Sequence, residues 1–201
     1  MDINVRQAGE QDRDAVIEAF AHASRDEVVT AWVLEGFPFE QFSEQYVPVL
    51  IDRALRDDEI WVAGDDSQIW AVSIWQQVDS VDRFQTEAAE ARAAAEGAPD
   101  VPTLRRFAVV TDLLAHSHPC ELPHRYLQVI VTVPEHRGKG AGAAILADRT
   151  KAASSAGVPA YLEASTERSA RLYTRMGFAR TGAEHELPEG GPTLRPMWFR
   201  G

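Results

Sequence analysis

The chain has 201 residues, 45% of them hydrophobic, enough for one substantial core. Twenty lysines and arginines face 31 aspartates and glutamates, a formal charge of −11 that disfavours nonspecific DNA or RNA binding; it suits a cationic ligand, although solubility alone accounts for it. The single cysteine, Cys120, excludes an intrachain disulfide, and no apolar run approaches the ~20 residues that span a bilayer.

The opening residues 1–12 are too polar for a secretory leader, so the expected compartment is the cytoplasm. Residues 3–8 alternate, with Ile3, Val5 and Gln7 on one face, and read as a strand. Val16, Ala19, Phe20 and Ala23 recur at helical spacing, and Asp12 is placed to cap that helix. Residues 26–35 and 40–56 read as further helices, the second interrupted at Pro48. Two aromatic, β-branched runs, 59–64 and 68–76, flank a short polar turn and predict a hairpin. Residues 82–96 and 103–117 read as helices, an insertion of about 82–116 between strands that could follow one another directly. "RYLQVIVTV" (125–133) is nearly all apolar and predicts a central buried strand. A glycine turn, a helix over 140–155, a strand at 158–164 and a short helix ending at Gly177 follow. Residues 178–187 and 193–200 close the chain as two strands.

The turn "RGKGAG" joins strand to helix. A helix start carries unpaired N–H groups and a partial positive charge. Gly138, Gly140 and Gly142 keep side chains away from those amides, while Arg137 and Lys139 add charge. That combination suits a phosphate, and best a pyrophosphate. The spacing fits neither GxxxxGK[ST] nor GxGxxG; it is R-x-x-G-x-G at Arg137, Gly140 and Gly142. The plainer reading is a glycine-softened helix start on the surface.

"TVPEHRGKGAG", followed after one helix and one strand by "ARLYTRMGF", resembles the GNAT acetyltransferase superfamily. The resemblance implies an α/β (α+β) GNAT fold in one domain over 1–201, with a mixed central sheet of about six to seven strands flanked by helices. It implies acetyl-CoA as cosubstrate. Arg137, Gly138, Lys139, Gly140, Ala141, Gly142 and Ala143 would then cradle the pyrophosphate by backbone N–H groups, and Ile130, Val131 and Thr132 would pair with the pantetheine arm as an added strand. Tyr173 would act as general acid toward the CoA sulfur. Thr132 stands where the family usually has valine, and Thr166, an expected cofactor contact, where many members have asparagine. Several stretches from residue 59 onward resemble the puromycin N-acetyltransferase group, which implies an amine acceptor but not puromycin itself.

Strand 125–133 holds no carboxylate, so the base that some members place there is missing. Glu163 is the best substitute, a hydrogen-bonded structural role being an equal alternative; Glu121 and His124 are weaker candidates. "HSHPCELPH" offers His116, His118, Cys120 and His124, but two prolines stiffen the loop and no metal is expected. The aromatics Trp32, Phe37, Phe39, Phe42, Trp70, Trp75 and Phe84 read mostly as core, with Trp32 to Phe42 the first place to seek an acceptor wall. The leading reading is acetyl transfer from acetyl-CoA to the primary amine of a small molecule, an aminonucleoside-type antibiotic or metabolite being one candidate. A protein or peptide N-acetyltransferase and a non-catalytic acyl-CoA-binding protein are the alternatives. Neither a nucleic acid nor a membrane is an expected partner, and a homodimer is left open.

Overall fold

The computed structural model describes residues 3–201. In chain order the elements are β1 (Asn4–Gln7), α1 (Arg13–Ser24), α2 (Val28–Val33), α3 (Phe39–Gln45), α4 (Val47–Asp57), β2 (Glu59–Gly64), β3 (Ile69–Val78), α5 (Asp82–Gly97) and α6 (Pro102–Ser117). There follow β4 (His124–Thr132), α7 (Ala141–Ala156), β5 (Ala160–Ala164), α8 (Glu167–Arg175), β6 (Ala179–Arg180), β7 (His185–Glu186) and β8 (Thr193–Phe199). The sheet runs β1-β2-β3-β4-β5-β8-β6, with β7 also on β8. Among the described residues only β4 and β5 are parallel neighbours.

Both faces of the sheet are covered, so β3 is buried continuously from Trp70 to Gln76 rather than alternating. On one face α1 and α4 pack Phe20 and Ile51 over Val72, Ile74 and Val131. Phe84 of α5 and Ala115 of α6 extend that layer over Tyr126, Tyr161 and Trp198. On the other face α7 and α8 set Leu146 and Tyr173 against Leu127, Leu162 and Ala164. The α5–α6 hairpin joins two strands that are antiparallel neighbours, which is why it reads as inserted. Its anchor is Arg83, which donates to Asp58 at 2.6 and 2.8 Å and to Glu87 at 2.8 Å.

Two features open the middle of the sheet. Ile74 faces Val129 and Trp75 faces Leu127, so Gln128 is an extra residue, a bulge. A bulge resets the alternation of side chains. Tyr126 and Val129 therefore share a face, and Leu127 and Ile130 share the other. Beyond it, β4 and β5 part. They pair only at Arg125–Ala160 and Tyr126–Tyr161, although β4 runs on to Thr132 and β5 to Ala164. The result is a wedge with its apex at Tyr126 and Tyr161.

Pro48 lies in the first turn of α4, where its missing N–H costs nothing, and separates α3 from α4 as the sequence predicts. Three expectations are corrected. Asp12 sits at the start of α1 without capping it, because its carboxylate accepts from the Gly9 N–H at 2.9 Å and holds Arg6 at 2.7 Å. The helix expected over 26–35 forms only over Val28–Val33, capped by Glu27. The strand expected over 178–187 is two two-residue pieces. Its break has a cause in the facing strand. Pro196 accepts from the Thr181 N–H at 3.0 Å but has no N–H to return, so the ladder stops after Arg180, and Gly182 then turns the chain at φ +65°.

Candidate active site

The glycine turn stands at the open end of the wedge. Gly138 and Gly140 take φ values of +78° and +95°, left-handed conformations that alternate with Lys139 and turn successive N–H groups to one side. Among the described residues no side chain caps α7. Among the described residues the N–H groups of Gly138, Gly140, Ala141, Gly142 and Ala143 meet no protein acceptor. A Cβ on Gly142 would lie 3.5 Å from Thr132 Oγ1 and 3.7 Å from Ile130 Cδ1, so the start of α7 packs directly on the end of β4. This cradle of unpaired amides fits the pyrophosphate that the sequence implies.

The two cations of the turn are not free charges. Arg137 donates through two nitrogens to the Asp26 carboxylate, at 2.5 Å each, and through Nε to the Thr132 carbonyl at 3.1 Å. It therefore ties the turn to the α1–α2 joint. Lys139 donates to His136 Nδ1 at 3.2 Å and lies 5.6 Å from the centroid of Trp70, on which the His136 ring stacks at 4.6 Å.

At the apex, Tyr126 donates to Glu163 Oε2 at 2.9 Å. The other oxygen, Oε1, is shielded from solvent and has no partner among the described residues. Glu163 is half-buried as a residue, but its carboxylate is enclosed. Burial pushes its carboxyl up to about 7, against the hydroxyls of Tyr161 and Tyr126, which pull it down. Glu163 lies on the α5–α6 side of the sheet, as do Tyr126 and Tyr161. A carboxyl that titrates near neutrality beside an open wedge is suited to accepting a proton.

Tyr173 approaches from the opposite face. Its ring is buried against Leu162, Ala164 and Phe178, while its hydroxyl has no hydrogen-bond partner among the described residues. Burial first, and the charge of Glu27 second, push the phenol well above its ordinary range, so it stays protonated. Leu172 is half-buried and Phe178 buried in the same cluster, as expected of core residues. Thr166 spends its hydroxyl on capping α8, accepting from the Ser169 N–H at 3.0 Å. Ile130 and Thr132 are half-buried and Val131 is buried, all on the part of β4 that pairs with β3 but not with β5.

The weaker base candidates are engaged elsewhere. Glu121 is exposed and paired with Arg200. His124 is fully buried, its Nε2 3.0 Å from His118 Nε2 and its Nδ1 donating to the Glu121 carbonyl at 2.8 Å. Burial pushes His118 down to about 3, so this pair is neutral. His116 bonds the Asp112 carbonyl and Cys120 is exposed, so the four candidate ligands do not converge. Of the aromatics, Trp32 is buried beneath Arg106, whose guanidinium lies 5.2 Å from its ring centroid. Phe39 and Phe42 pack on each other at 5.6 Å.

Sequence reasoning missed Gln128, Tyr126 and Glu27. A lone glutamine in the apolar run "YLQVIV" was the available sign of the bulge, and the acid just before "VVTAWV" that of the cap. The partnership of Tyr126 with Glu163 had no local sign, because it spans 37 positions.

Residues 26–178 match the model of the family described as acetyltransferase (GNAT). A histone acetyltransferase HPA2 and related acetyltransferase from Corynebacterium glutamicum superposes with TM-score 0.67 at 23% identity, over 98% of this chain and 96% of that one. A polyamine N-acetyltransferase from Drosophila melanogaster gives 0.67 at 18% identity over the whole of both chains. Arylalkylamine N-acetyltransferase 2 from Aedes aegypti gives 0.69 at 15% identity over 98% of each. At these identities the likeness is one of fold.

Proposed function

Since the chain belongs to the GNAT acetyltransferase family, we propose that it transfers acetyl from acetyl-CoA to the primary amine of a small molecule, by direct attack in a ternary complex. One observation carries this reading. A single wedge has unpaired amides at its mouth, a carboxyl that titrates near 7 on one face and an unpartnered tyrosine hydroxyl on the other.

In this account residues 137–143 hold the pyrophosphate through their N–H groups, and the free edge of Ile130, Val131 and Thr132 pairs with the pantetheine arm. Thr166, committed to its cap, borders the cofactor rather than binding it through the hydroxyl. Acetyl-CoA supplies an activated acetyl group. Glu163 takes the proton that the amine must lose, Tyr126 orients the carboxylate, and Tyr173 gives a proton to the departing sulfur.

The acceptor is a small cationic amine. Polyamine and arylalkylamine acetyltransferases share the fold, and the stretches similar to the puromycin N-acetyltransferase group add aminonucleosides to the candidates. The layer of α2, α5 and α6 over the Glu163 face favours an enclosed acceptor over a protein surface. No helix among the described residues is long and apolar enough to cross a membrane, and we place the activity in the cytoplasm. Mass spectrometry after incubation with acetyl-CoA tests the reading, with polyamines, arylalkylamines, aminonucleosides and N-terminal peptides as acceptors. One added acetyl on a small amine is expected; acetylation of peptides alone would refute it.

A further inference from the structure

The joint between α1 and α2 sets two acids side by side and uses them differently. Asp26 is neutralised by Arg137. Glu27 forms no ion pair among the described residues. Its Oε2 accepts from the N–H groups of Val29 and Thr30, at 3.0 and 2.8 Å, and from the Thr30 hydroxyl at 3.1 Å. Its Oε1 meets only the Ser165 hydroxyl, at 3.1 Å. Ser165 lies between the end of β5 and the cap of α8, the helix that carries Tyr173. The carboxylate is thus held rigidly at the open end of the wedge, near enough to Tyr173 for its charge to act on the phenol, half-buried, with lone pairs on Oε1 still free.

A half-buried carboxylate without a countercharge carries a desolvation cost that a bound cation would offset. The Tyr173 hydroxyl nearby has no partner among the described residues, which marks this end of the wedge as a place built for a ligand rather than for packing. We propose that Glu27 receives the ammonium group of the acceptor, selecting cationic primary amines and bringing them to the wedge beside Tyr173. The inference rests on the amine-acetylation reading above and adds the residue that enforces it. Glu163, at the apex on the α5–α6 side, remains the proton acceptor; Glu27 is the anchor.

The test uses Glu27→Gln, whose amide oxygen still accepts from Val29 and Thr30 and so preserves the cap. Calorimetry on the enzyme–CoA complex at about pH 8.5 compares 2-phenylethylamine, which is still mostly cationic, with 2,2-difluoro-2-phenylethylamine, which is of similar shape and largely uncharged. Wild type is expected to prefer the cationic amine. Glu27→Gln should weaken it by roughly tenfold or more while changing the neutral one by less than about twofold, the affinity for CoA being unchanged. Equal weakening of both amines would make Glu27 merely structural and overturn the proposal, as would no change or no binding of either amine to wild type. A wild type that binds the cationic amine selectively but releases no CoA thiol in its presence would refute acetyl transfer and leave the anchor standing.

Discussion

Tyr173 belongs to the core through its ring and to the wedge through its hydroxyl, and one substitution separates the two roles. Tyr173→Phe keeps the packing, so thermal stability and acetyl-CoA affinity should hold while kcat falls by about 10²–10⁴-fold, the usual contribution of a positioned acid. An unchanged kcat would leave it a core aromatic. Glu163 carries a pH signature. Its carboxyl ionises near 7, so the rate should rise with pH through about 7 and Glu163→Gln should lose that limb. The stability effect has the opposite sign. The folded value lies above the unfolded one, so the cost of burying the charge is absent below the unfolded value and complete once pH exceeds about 7. Urea unfolding should therefore find Glu163→Gln stabilised at about pH 8, by no more than about 3 kcal/mol, and unchanged at about pH 4. At this scale the sequence revealed residues that lie in contiguous motifs, such as Gly140 and Tyr173. It hid Tyr126 and Glu27, whose roles come from partners that only the folded sheet brings near.

The glycine turn acts as an element, through its backbone. Gly140 sits at φ +95°, a conformation that a β-branched residue adopts only under strain. Gly140→Val should abolish acetyl-CoA binding in calorimetry while far-ultraviolet circular dichroism stays near wild type; unchanged affinity would refute the phosphate-loop reading. The α5–α6 hairpin depends on a different contact. The Asp58 side chain is only 2% exposed and holds Arg83, so Arg83→Met strands a buried carboxylate. We expect a loss of about 2–4 kcal/mol in denaturant unfolding, against less than about 1 kcal/mol for an exposed pair such as Arg92–Asp112. Elements with strong periodicity, α1, α5, α6 and the β2–β3 hairpin, were readable because local pattern and burial agree. The shortened α2 and the broken strand before β8 were not, because their ends are set by a side-chain cap and by a proline in a neighbouring strand.

Across the whole molecule the net charge of −11 and the two carboxylates at the wedge, which have no ion-pair partner among the described residues, point the same way, toward a cationic acceptor. The wedge itself is a property of the sheet. A bulge at Gln128 and a two-residue β4–β5 ladder leave one strand edge free between layers contributed by distant parts of the chain. Only the glycine turn and the tyrosine helix beside it carry a short sequence pattern, so the motif was legible and the opening was not. Initial velocities of CoA thiol release, varied together in acetyl-CoA and 2-phenylethylamine, test the central claim most directly. Direct attack in a ternary complex predicts release that requires the amine and double-reciprocal lines that intersect. Release at the same rate without amine, or parallel lines, would contradict it.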